Sequence, residues 1–169
     1  MQVEEPTMPN PHELHIYDYV NRPYEAVRDV LLANPLETFR RATRSVAGDA
    51  ELRARVGAID VGGEIDVAIA ATENARSPDD RPATNLVIAW QATHRSGMFP
   101  TMRATLSIYA LTPTETQLDF CGTYDPPLGI VGDAVDAIAM RRIATESVSG
   151  FVRDVARFLS GDPSSGAAA

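Results

Sequence analysis

Apolar and polar residues alternate with a period of two through the middle of this chain, then change to a helical spacing near its end. In Leu52, Ala54, Val56 and Ala58 the even positions are apolar, against charged Glu51, Arg53 and Arg55. Ile65, Val67, Ile69 and Ala71 continue the alternation against Glu64 and Asp66. Leu86, Ile88, Trp90, Ala92 and His94 share a face in the next run, and Met102, Ala104, Leu106, Ile108 and Ala110 in the one after. Leu118, Phe120, Gly122 and Tyr124 form the last. Successive side chains of a strand point to opposite faces, so each run predicts an antiparallel strand with one dry face and one wet face. Asp60-Val61-Gly62-Gly63 predicts a tight hairpin, since paired glycines supply the positive φ that such turns use. Arg76 to Pro82 reads as a polar loop and Ser96 to Pro100 as a turn.

Ahead of these runs, Glu13 to Val20 is rich in β-forming residues and predicts a first strand. Asn21-Arg22-Pro23 then opens a helix, with proline near its first position, where the missing N–H costs little. Ala26, Val27, Val30 and Leu31 lie along one face of it. Pro35 interrupts the pattern, and a second short helix follows around Leu36 to Val46. At the other end, Asp125-Pro126-Pro127-Leu128-Gly129 leads into one long amphipathic helix that ends near Leu159. Its apolar stripe is Ala134, Ile138, Thr145, Val148, Val152, Val155 and Leu159. Residues 1–11 and 161–169 read as disordered tails around a single domain at 12–160. The order is one strand, two short helices, five strands and one long helix.

With 169 residues the chain is long enough to bury a core of its own. A net charge of -8 argues against nucleic acid as a partner, because phosphate contacts need clustered positive charge. All 15 basic residues are arginine, so no lysine is present for Schiff-base chemistry. No apolar run approaches the roughly 18 residues of a membrane span. The polar, proline-bearing start is unlike a secretory signal, so a cytoplasmic location is expected. Cys121 is the only cysteine, which excludes an internal disulfide and a cysteine-based metal cluster.

Three stretches carry a family resemblance. Val20-Asn21-Arg22-Pro23-Tyr24-Glu25-Ala26-Val27, Tyr124-Asp125-Pro126-Pro127-Leu128-Gly129 with Gly132, and Arg142-Ile143-Ala144 with Val148 and Phe151 resemble the START-like superfamily. That superfamily includes polyketide cyclases and dehydrases, plant hormone receptors and lipid-transfer proteins. The resemblance spans roughly Leu14 to Leu159. It implies an α+β helix-grip fold, in which a curved antiparallel sheet of six or seven strands wraps around the long C-terminal helix. Six strands are legible, so a seventh would have to lie in the loop around Arg76 to Ala83. It also implies a hydrophobic cavity between sheet and helix, and no universal catalytic residue.

The inward parity of the strands and the helix stripe name the expected cavity lining: Trp90, His94, Leu106, Ile108, Phe120, Tyr124, Ile138, Thr145 and Val148. Small residues on the same faces, among them Ala54, Ala92, Ala104 and Gly122, should leave room for a ligand. His94 and Tyr124 are the only candidates for acid or base chemistry on that face; the plainer readings are a solvent-wetted histidine near the strand end and a tyrosine capping the sheet edge. Arg141 or Arg142 would pair a ligand carboxylate only if one pointed inward. Cys121 has outward parity and reads as structural. Metal binding is not expected: His12 lies at the edge of the tail, and its spacing with His15 and His94 matches no zinc pattern. No glycine-rich phosphate loop or nucleophile elbow is present, and no cofactor is expected.

Three functions remain open at this level. The first is a binding protein for a hydrophobic small molecule or lipid, acting as a monomer or homodimer. The second is a cyclase or dehydrase using the same cavity. The third is an interaction module with a collapsed pocket. Scarcity of inward ionisable residues favours binding over catalysis.

Overall fold

The computed structural model describes residues 12–47, 51–56, 59–92, 101–125 and 134–161. Strand β1 (His12–Val20) is followed by helices α1 (Tyr24–Ala33) and α2 (Pro35–Ala47). Strands β2 (Glu51–Val56), β3 (Ile59–Arg76), β4 (Pro82–Ala92), β5 (Thr101–Thr112) and β6 (Glu115–Asp125) come next, and α3 (Ala134–Ser160) closes the chain. Among the described residues no helix is long and apolar enough to cross a membrane.

The strand order is β1-β6-β5-β4-β3-β2, and every pairing is antiparallel. Five of these strands, β1, β6, β5, β4 and β3, make the body of the curved sheet, where six or seven were expected. Among the described residues, β3 pairs with β4 from Ile65 onward and with β2 over Ile59 to Glu64, and the sixth strand, β2, pairs with β3. No seventh strand hides near Arg76, because β3 and β4 both run up to a tight connection there. Ser77 N–H bonds the Arg81 carbonyl at 2.9 Å, and Asp80 takes the left-handed φ of 60° that the turn requires.

The first hairpin turns earlier than expected. Val56 pairs with Ile59, while Gly62 and Gly63 lie inside β3 opposite Arg53 and Leu52. The glycine pair at 62–63 is a stretch of strand and not a turn.

Both short helices form where the sequence places them. Asn34 ends α1, and its side-chain oxygen accepts the Glu37 N–H at 3.1 Å, so the same residue caps α2. That leaves Pro35 at the first position of α2, which tolerates proline. Tyr24, Val27 and Leu31 bury the inner face of α1, and Thr38, Phe39 and Ala42 that of α2.

The core lies between the inner face of the sheet and α3. Cross-strand register stacks it in rows: Ile16, Phe120, Leu106 and Leu86 in one, and Leu118, Ile108 and Thr84 in the next. Ala144, Val148, Phe151, Val152, Val155 and Leu159 of α3 close over them. A side-chain tie completes the join. Arg22 donates to the Leu159 carbonyl at 3.1 Å, while its own carbonyl accepts the Thr116 hydroxyl at 2.8 Å.

Candidate functional site

One row of the sheet's register lines up His12, Tyr124, Met102 and Trp90 on the inner parity. Tyr124 in this row is 2% exposed. The exposed imidazole of His12 stacks on its ring, with centroids 5.2 Å apart and planes 25° from parallel. Burial pushes the Tyr124 phenol above its ordinary pKa of 10.0, and the nearby charge of Arg141 on α3 only partly opposes this. The hydroxyl is therefore neutral at any physiological pH, able to donate one hydrogen bond and to accept others.

Deeper in, the next row is small. Gly122 faces Ala104, and a Cβ on Gly122 would lie 2.9 Å from that of Ala104 and 3.2 Å from the Phe120 ring. The glycine avoids the Ala104 Cβ first, and then the Arg103 carbonyl and the Phe120 ring, each 3.2 Å away. Beyond this row the aromatic rings meet edge to face: Phe151 lies 5.2 Å from Phe39 and 6.3 Å from Phe120. On α3, the Ser147 hydroxyl is buried without a hydrogen-bond partner among the described residues.

Of the expected lining, Leu106, Ile108, Phe120, Tyr124 and Val148 belong to one buried cluster. Trp90 and Ile138 are placed by their backbone in β4 and α3, but their side chains lie outside the described part of the structure. His94 lies outside the described residues. Thr145 is a correction: it is exposed, and its hydroxyl donates to the Arg141 carbonyl at 2.8 Å. Consecutive helical residues are about 100° apart around the axis, and Ala144 takes the inward position instead. Arg142 points to solvent and pairs with Glu146 at 2.9 Å, so it is no ligand anchor.

Three features of this region escape sequence reasoning. His12 shares parity with Leu14 and Ile16, a signal that places it on the inner face once the strand is extended to include it. Tyr24 and Thr84 share a buried hydroxyl bond of 2.8 Å across 60 residues, which no local pattern announces. Ser147 sits one residue from the buried stripe and gives no sequence signal of its own.

No family model matches the chain, and no curated protein matches it in sequence. Its likenesses are structural. It is similar to the protein TTHA0849 from Thermus thermophilus, with a TM-score of 0.52 and 16% identity over 89% of this chain and 98% of that one. A lower TM-score of 0.46, at 13% identity, relates it to the Zhui aromatase/cyclase from a Streptomyces species, over 87% of this chain and 92% of that one. A START superfamily protein from Mycobacterium smegmatis aligns at 0.38 and 15% identity, over 85% of this chain and 99% of that one. The likeness to TTHA0849 shows a shared fold. Identities this low speak to fold alone.

Proposed function

We propose that the chain binds a hydrophobic small molecule or lipid between its sheet and α3, with Tyr124 as the polar anchor. The observation that supports this reading is the Tyr124 phenol: buried, neutral, on the inner face, and stacked against the exposed His12 imidazole. An apolar enclosure with a few convergent polar groups is the usual form of a small-molecule site. The unpartnered Ser147 hydroxyl adds a second group that a ligand could satisfy. A raised phenol pKa favours a hydrogen-bond donor over a general base, and so favours binding over a cyclase-type reaction at this residue.

Native mass spectrometry of protein purified without added ligand reads out a retained apolar molecule. The fluorescent probe 8-anilinonaphthalene-1-sulfonate, displaced by fatty acids and by polycyclic aromatics, gives affinities. Tyr124→Phe should keep the melting temperature and weaken binding by about 2- to 13-fold, the worth of one neutral hydrogen bond of about 0.5–1.5 kcal/mol. No retained molecule together with no probe binding would overturn the reading. Product formation from a polyketide-like chain, lost in Tyr124→Phe, would replace it with the enzymatic one.

A further inference from the structure

On the outer face of the sheet, away from the core, β1 and β6 bring together three groups of metal-binding type. His15 pairs in register with Cys121, and Asp119 stands two residues along β6 on the same face. The His15 Nε2 lies 2.6 Å from Asp119 Oδ1, and the Cys121 Sγ lies 3.9 Å from the same oxygen. All three donor atoms fall within 4.8 Å of one another. We propose that His15, Asp119 and Cys121 form a binding site for a borderline-soft divalent cation of the Zn2+ class.

The geometry suits such an ion. Metal–ligand lengths of about 2.0–2.3 Å put the donors of a tetrahedral zinc roughly 3.3–3.8 Å apart. The Cys121 to Asp119 separation of 3.9 Å must close slightly, and the His15 to Asp119 pair must open by about 0.7 Å as the metal replaces the proton between them. Imidazole, carboxylate and thiolate together select zinc over hard cations such as Mg2+ or Ca2+. The carboxylate is also held from behind. Asp119 is only 17% exposed at its side chain and accepts a hydrogen bond from Tyr109 on β5, the outer-shell support that ligating carboxylates commonly have. Glu13 lies two residues before His15 on the same face, close enough for its charge to reach Cys121, and adds to the attraction for a cation. Ligands held on two paired strands are positioned more firmly than ligands on a loop. Three protein ligands leave the fourth position to water. The site escapes a spacing search because His15 and Asp119 are 104 residues apart and meet only through strand register.

The test uses the full chain, kept reduced, and titrates it with Co2+ as a spectroscopic stand-in. The expected result is a thiolate-to-cobalt absorption band in the near ultraviolet that saturates at one equivalent and is displaced by Zn2+. His15→Ala, Asp119→Asn and Cys121→Ser should each lower Zn2+ affinity at least about tenfold, and Tyr109→Phe by about tenfold. Arg142→Ala, which removes a solvent-facing charge from α3, should leave Zn2+ affinity unchanged. All are checked for fold by circular dichroism, and Zn2+ should raise the melting temperature of the wild type but not of Cys121→Ser, since the ion staples the edge strand β1 to β6. Absence of the band, or Zn2+ binding as tight in Cys121→Ser and His15→Ala as in the wild type, overturns the proposal.

Discussion

Tyr24 and Thr84 show how a single buried pair sets a residue-scale cost. Their hydroxyls bond at 2.8 Å where Thr84 is 1% exposed, so removing one partner strands the other. Tyr24→Phe should lower stability by about 1–3 kcal/mol in urea unfolding, whereas Tyr24→Phe with Thr84→Val should cost less than the sum of the single changes. Additive costs would show that the bond does not form in solution. Asp154 on α3 makes the opposite kind of prediction. Burial raises its pKa above 3.8 in the fold, with Arg157 and Arg153 only partly opposing. A raised carboxyl means the folded state prefers the neutral form, so the penalty is absent below 3.8, grows as pH rises toward the folded value, and is complete above it. Asp154→Asn should therefore raise the melting temperature at pH 7 and lose that advantage near pH 3.5, roughly the ordinary aspartate range. An equal gain at both pH values would refute the linkage.

At the scale of elements, alternation was the strong signal and register the silent one. Every strand was legible because one dry face forces a period of two, and Leu106, Ile108, Phe120 and Tyr124 were placed inward by parity alone. The first hairpin was misplaced because Gly62-Gly63 looks like a turn, while pairing of Val56 with Ile59 keeps both glycines in strand. Thr145 was misplaced because helical stripes are about 100° wide and their margins are not sharp. The contact between His15 and Asp119 was out of reach, since it depends on which strands are neighbours. Gly122 tests how closely two of those neighbours pack. Its added methyl would press on the Ala104 Cβ at 2.9 Å and on the Arg103 carbonyl at 3.2 Å, and backbone cannot move aside cheaply. Gly122→Ala should destabilise by about 1–3 kcal/mol, the range for an overpacked core. Ala104→Gly in the same chain should recover part of that loss, and no recovery would mean that the strain lies with Arg103 or Phe120.

At the scale of the whole molecule, α3 covers the inner face of the sheet, and Tyr124 lies on that face in one row with His12, Met102 and Trp90. Away from that row the packing is tight: Ile108, Leu118, Phe120, Val148 and Leu159 are all fully buried. A ligand there would have to displace side chains, so the proposed site is the Tyr124 row. A molecule bound there is lost when sheet and helix separate, so its binding energy is added to the stability of the fold. At a free concentration one hundred times Kd, such a ligand contributes about 2.7 kcal/mol. In a domain of this size that corresponds to a rise in melting temperature of roughly 5–11 °C. A thermal-shift series over neutral polycyclic aromatics, single-ring aromatics and fatty acids should find shifts of this size in one chemical class. The same ligands should give smaller shifts in Tyr124→Phe and unchanged ones in Arg142→Ala, which removes a solvent-facing charge from the same helix. Shifts that ignore Tyr124 but follow Ile108→Ala would move the ligand into the tightly packed part of the core and refute the Tyr124 row as its site.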